Sequence, residues 1–131
     1  MNILGFRLKT SKETKDIFEE LSSKMNLKPF ALSKLAISLS INSDEPIDSY
    51  TSADNNGLDL NRQTITAQYD ALFKALIEQN LGRSITDDEY FPHYVKLHID
   101  RGAVILKNKY KYSGNLRNFI LQSIKKDLLS K

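Results

Sequence analysis

The sequence has no cysteine, only five glycines and three prolines, and no apolar run near the roughly 20 residues a membrane-spanning helix needs. Without cysteine the chain forms no disulfide, offers no thiolate to a metal or electrophile, and cannot itself carry a persulfide. The glycines are scattered, so no glycine-rich loop is available to cradle a phosphate. No serine stands in a nucleophile elbow or at a recognisable spacing from a base. His93 and His98 are five apart, which turns them to different faces of a helix with no third ligand nearby. They do not make a zinc motif, and surface or interface positions are predicted for both. Tyr110 and Tyr112, in KNKYKY, are conceivable as strand-nicking nucleophiles or base-stacking rings, but packing claims Tyr110 first. No catalytic residue, metal site or cofactor is therefore predicted. Repeats and low-complexity tracts are also missing. The N-terminus runs straight into a charged strand and helix, so no secretory signal, no membrane association and a cytoplasmic location are expected.

What the chain does have is an uneven charge. Residues 1–41 carry seven Lys/Arg against four Asp/Glu, residues 42–100 four against eleven, and residues 101–131 eight against one. Basic ends around an acidic middle point to one surface for a polyanion and another for different work. Any single lysine is more simply a solvated helix face; the clustering is the signal.

Residues 1–41 form the clearest unit. Leu4, Phe6 and Leu8 alternate with Gly5, Arg7 and Lys9, the period of a half-buried strand. Thr10 and Glu13 have capping-box spacing and open a helix with Thr14, Ile17, Phe18, Leu21 and Met25 on one face and Asn26 as a left-handed stop. Pro29 suits the first turn of a second helix, apolar nearly all round to Ile41 except for a strip of Ser33, Lys34, Ser38 and Ser40. Such a helix needs cover on several sides, from its own chain or from another copy. Strand, helix, helix is the order of a ribbon-helix-helix unit, which pairs its strand with that of a second copy to read DNA. The predicted fold is thus mainly α in a single domain spanning 1–131. A ribbon-helix-helix-like unit (1–41) leads through an acidic linker loop (42–57) to further packed helices (58–131).

Helical order resumes from Leu58 to Leu81, where Ile65, Tyr69, Leu72, Phe73, Leu76 and Ile77 recur at three- and four-residue steps and Gly82 is a stop. Ser84 or Thr86 caps the next helix, with Asp87, Asp88 and Glu89 in its first turn and Pro92 near its beginning. It runs through Val95, Ile99, Ala103, Leu106 and Tyr110. Gly102 in mid-helix costs about 1 kcal/mol against alanine, which suggests close approach of a neighbouring backbone. After Ser113-Gly114-Asn115, a last amphipathic helix is predicted over Leu116, Phe119, Ile120, Ile124 and Leu128.

GLDLNRQTITAQYDALFKALIEQ (Gly57–Gln79) and HIDRGAVILKNKYK (His98–Lys111) resemble signature stretches of the DndE family of DNA sulfur-modification proteins. The match is carried by Asn61-Arg62-x-Thr64, by Tyr69-Asp70-Ala71-Leu72-Phe73 and by Arg101-Gly102. FRLKTSKETKDIFEELSSKMNLKPFALSKLAISLSI matches the same family in order and spacing. The tail GNLRNFILQSIKKDLLSK is longer than the family pattern. The resemblance implies a small helical protein of a bacterial defence system that replaces a non-bridging phosphate oxygen of DNA with sulfur. It implies a homotetramer that binds duplex DNA, preferentially nicked, through surface lysines. It also implies other proteins of the machinery as partners, which supply sulfur and ATP-driven steps. DNA contact carries over onto Arg7, Lys9, Lys12, Lys15, Lys24, Lys28 and Lys34, and secondarily onto Lys107, Lys109 and Lys111. Lys28 also sits at the start of the second helix, where a phosphate meets free N–H groups. These residues position a backbone rather than read bases. Arg62 and Arg101 stand beside acidic residues, and ion pairing is favoured for both.

Two rivals use the same basic surface: a dimeric ribbon-helix-helix regulator and a DNA nickase. Gly5, central on the outward strand face, suits a sequence reader poorly. A helical interaction protein with merely solubilising lysines is the plainest alternative.

Overall fold

The structure is a computed structural model describing residues 6–114 together with 118, 120 and 121. Leu4, Gly5 and most of the predicted last helix lie outside the described residues. The element order is β1 (Arg7–Lys9), α1 (Lys12–Met25), α2 (Pro29–Ile41), β2 (Asp59–Asn61), a short α3 (Arg62–Ile65), α4 (Asp70–Leu81), a single turn α5 (Asp87–Glu89), a π-helical segment (Tyr90–Val95) and α6 (Lys96–Ser113). The fold is mainly helical with a small antiparallel sheet.

Strand, helix and helix follow in the predicted order, but β1 finds its partner within the chain. It pairs antiparallel with β2 in the register Arg7↔Asn61, Leu8↔Leu60 and Lys9↔Asp59. Leu8 and Leu60, opposite each other, are both buried. Residues 58–61 therefore open a strand where helix was expected, because Leu60 faces inward between the outward Asp59 and half-exposed Asn61.

Helix α1 buries the five predicted residues and ends on Asn26 at φ 54°. Its cap is Ser11, one residue later than predicted: the Ser11 hydroxyl accepts the Thr14 N–H. Thr10 instead continues the strand pairing: its N–H donates to the Leu58 carbonyl at 2.9 Å, and its hydroxyl accepts the Leu58 N–H at 2.8 Å. A Cβ on Gly57 would lie 2.1 Å from the Ser11 carbonyl oxygen, so this approach needs glycine.

Helices α2 and α6 make the central crossing. A Cβ on Gly102 would lie 1.9 Å from the Ala36 carbonyl oxygen, so the two backbones touch where the sequence suggested close approach. The predicted polar strip of α2 does not face solvent as a unit. Ser33 and Ser40 are buried and Phe30 is 40% exposed, because Ser40 turns toward polar residues of α6.

The predicted continuous helix from Thr86 is interrupted. Thr86 and Glu89 form a capping box, and the backbone then widens into the π-helical segment around Pro92. Proline has no N–H to donate, and a widened turn absorbs the missing bond.

Candidate nucleic-acid interface

The ten predicted cations fall into separate places, and two groups that are distant in sequence meet. Asp100 near the start of α6 accepts hydrogen bonds from the Ser11 N–H (3.0 Å) and the Thr14 hydroxyl (2.6 Å) at the start of α1. Lys24 near the end of α1 lies in the field of Tyr110 near the end of α6. The two helices therefore run parallel, and their C-terminal ends share one pole. There Glu20 pairs with Lys24 at 2.8 Å. Its carboxyl is held below the usual range, first by that hydrogen bond and charge and further by Lys107 and Lys111. Lys107 and Lys111, one helical turn apart, are both exposed. Lys28, at the N-cap of α2, follows Met25 closely and is exposed at the same end. Lys109, between them on α6, is half-buried. Tyr112, 84% exposed, stands beside Lys111.

The second place is the β1 edge. Arg7 and Lys9 flank buried Leu8 and are exposed on the same face. An open groove of about 440 Å³ runs beside them, lined also by Asn55, Asp59, Pro92, His93 and Lys96. Arg7 is partly neutralised by Asp59 at 3.1 Å. Lys96 donates to Asp100 and to the Asp54 carbonyl, each at 2.9 Å. Lys9 has no carboxylate partner among the described residues. Lys96 was not among the predicted cations; its four-residue spacing from Asp100 was the available signal.

Between the two, Lys12 pairs with Asp16, and Lys15 is half-buried on α1. Lys34 lies over the Phe30 ring, 5.4 Å from its centroid. The N-terminus of α1 is already occupied by an anion. Asp54 accepts the Lys12 N–H (2.8 Å) and the Asn56 N–H (2.9 Å), which hold its carboxyl below its ordinary value. Residues 1–41 thus do not present one continuous cationic surface. Lys9 and Lys24 are separated by α1, about 20 Å long at 1.5 Å per residue.

Arg62 pairs as predicted. Its guanidinium forks onto Asp70, with Nε 3.0 Å from Oδ1, and stacks 5.0 Å from the centroid of the Tyr90 ring. Arg101 does not pair with a carboxylate. Its N–H groups go to the Ser40 hydroxyl, the Ser40 carbonyl and the Glu45 carbonyl at 2.6–2.8 Å, placing a cation at the carbonyl end of α2. His98 is not at a surface: it is fully buried, with Nδ1 2.8 Å from the Ser40 hydroxyl. Burial, and secondarily the Arg101 charge, lower its pKa to about 3, so the ring is neutral. His93 is exposed. No group of three or more His, Asp or Glu is placed to hold a metal among the described residues. No helix among them is long and apolar enough to cross a membrane.

Residues 7–113 match the family model of the DNA sulphur modification protein DndE. The fold is similar to the crystal structure of DndE from Escherichia coli B7A involved in DNA phosphorothioation modification. The TM-score is 0.61 at 18% identity, over 77% of this chain and 95% of that one. It is also similar to the crystal structure of a glycine-to-lysine mutant of DndE involved in DNA phosphorothioation, with a TM-score of 0.56 at 21% identity, over 77% and 96% of the two chains. No curated protein matches the sequence.

Proposed function

The chain belongs to the DndE family of DNA sulphur modification proteins, and from that premise we propose that it is an accessory DNA-binding protein of DNA phosphorothioation. It holds duplex DNA, nicked duplex preferentially, on surface lysines. Other proteins of the system carry the sulfur, since this chain has no cysteine to hold it. It works as a cytoplasmic homotetramer.

The convergence of Lys24 with Lys107 and Lys111 carries this reading. Flexible ammonium groups from two parallel helices suit phosphate neutralisation without base readout. Arg7 and Lys9 on the β1 edge add a second contact. A nick lowers the cost of bending the duplex onto such a surface.

Fluorescence anisotropy with intact and nicked duplexes of one sequence, titrated with salt, tests the proposal. Affinity is expected to fall steeply with salt, favour the nicked probe and ignore base sequence. Lys24→Glu/Lys107→Glu/Lys111→Glu should lower the log–log salt slope by about 0.9 per lost contact. Unchanged binding in that variant, with Arg7→Glu/Lys9→Glu losing it instead, would move the interface to the β1 edge. Denaturing gels of the same incubations read strand cleavage separately from binding.

A further inference from the structure

The open groove of about 440 Å³ beside β1 is formed by three separate segments. Arg7, Leu8 and Lys9 come from β1, Asn55 and Asp59 from the turn into β2, and Pro92, His93 and Lys96 from the passage of the π-helical segment into α6. Among the described lining residues Arg7, Lys9 and Lys96 are cations and Asp59 is the one carboxylate, already turned to Arg7 at 3.1 Å. The side chains of Lys9, Asn55 and His93 make no hydrogen bond to any described residue. We infer that this groove is a binding site for an organic phosphomonoester, either the phosphorylated end of a DNA strand or a free nucleoside monophosphate. The inference does not rest on the duplex-binding reading above, which concerns the diester phosphates along a backbone.

The groups left free select the ligand. Lys9 offers an ammonium, Asn55 an amide NH₂, Arg7 the guanidinium N–H groups not turned to Asp59, and His93 a ring N–H. A phosphomonoester matches this set: three terminal oxygens accept, and the group carries about −1.5 to −2 charge at pH 7. A backbone diester carries a single charge, and a carboxylate has only two oxygens to meet donors arriving from three segments. The arrangement is also held in place. The His93 ring stands edge-on to Tyr94, with centroids 4.7 Å apart. Tyr94 is itself buried, its hydroxyl accepting from Arg83 at 2.7 Å and donating to Asp48 at 2.9 Å. Widened turns like the one that carries Pro92 and His93 are frequent at functional sites.

Size agrees with charge. A volume of about 440 Å³ lies at the lower end of ligand pockets, roughly 300–1,000 Å³. One nucleotide fits such a space, and a length of duplex does not. Leu8 and Pro92 give its sugar apolar surface between the cations. Lys96, held at 2.9 Å by both Asp100 and the Asp54 carbonyl, supplies a fixed positive charge. Lys9, exposed and unpaired, is free to swing onto the phosphate.

Proton NMR of the full chain reads the groove directly. The chain has two histidines, and the His93 ring signals are identified by their loss in His93→Gln. Thymidine 5′-monophosphate should shift them saturably, whereas thymidine, its 5′-phosphate methyl diester and succinate at equal ionic strength should not. Lys9→Gln and Asn55→Ala, both at exposed positions, should each weaken the monophosphate about threefold to tenfold with circular dichroism unchanged. Fluorescence anisotropy with nicked duplexes bearing a 5′-phosphate or a 5′-hydroxyl at the nick separates the two sources. Tighter binding of the 5′-phosphate nick, lost in His93→Ala, assigns the groove to a strand end. Saturation by the monophosphate with equal binding of the two nicks assigns it to a free nucleotide. Equal shifts by succinate or the diester overturn the inference. So does a monophosphate without effect together with no His93-dependent preference between the nicks; duplex binding that persists then leaves the reading above intact. Saturation by the monophosphate in a protein that binds no duplex overturns that reading alone.

Discussion

Helix α6 carries His98, Asp100 and Arg101 into the interior, whereas α4 leaves Leu72 and Leu76 in solvent. Composition alone would assign these helices the other way round. The difference lies in partners. Every buried charge of α6 meets donors or acceptors fixed by another element: Asp100 by the start of α1 and by Ser52, Arg101 by the end of α2. A buried polar group so matched costs little and holds elements in one arrangement. In α4 the charged side is fastened inward by Arg62, Asp87 and the Ile85 N–H, which forces the apolar side out. One helix organises the chain; the other presents a surface.

The sharpest way to break the α6 half of this contrast is Asp100→Ala. The carboxylate is buried and accepts from the Ser11 N–H, the Thr14 and Ser52 hydroxyls and Lys96. Its loss leaves Lys96 without a carboxylate partner and three donors unmatched, a cost of about 3–5 kcal/mol. Urea unfolding should show this as a lower midpoint at unchanged slope. A loss under about 1 kcal/mol would mean the hub is incidental.

This hub explains where sequence reasoning reached and where it stopped. Local signals were legible: α2 spans the predicted Pro29 to Ile41, Asn26 is left-handed, and Thr86 caps with Glu89. Gly102 announced a backbone crossing, and Arg62 a carboxylate. What the spacing left open was which side of a helix faces inward. Ile65, Tyr69, Leu72, Phe73, Leu76 and Ile77 recur at helical steps, yet Ile65 and Ile77 are buried while Tyr69, Leu72 and Leu76 are not. A period identifies a face, and only the partners of Asp70, Lys74 and Glu78 decide its direction. Likewise His98 and Arg101 acquire their roles from Ser40, some sixty positions earlier, a pairing no local pattern contains. The lysine pole is non-local too, since Lys24 and Lys107 both act on Glu20 only because α1 and α6 run parallel.

A pH titration probes the same interior more gently. His98 is neutral in the fold, with its pKa lowered to about 3 by burial and Arg101, while the unfolded ring binds a proton near pH 6.5. The unfolded state therefore holds more protons between these values, and stability falls as pH drops through that window. The expected slope is up to about 1.4 kcal/mol per pH unit below about pH 6.5, with none of this contribution lost above it. Carboxylates titrate at the lower end, so the readout is the difference between wild type and His98→Asn. Parallel pH profiles for the two proteins would show that the buried ring is not held neutral.

The smallest expected effect falls on α4. Leu72→Ser/Leu76→Ser, measured in dilute solution, should change unfolding stability by no more than about 0.5 kcal/mol, because exposed side chains lose little on truncation. Ile77→Ala on the same helix is the internal control. Ile77 is fully buried, and removing its side chain should cost about 2–5 kcal/mol. If the leucine pair proved as costly as Ile77, those side chains would be packed by their own chain. The reverse amphipathicity of α4, and its contrast with α6, would then be lost.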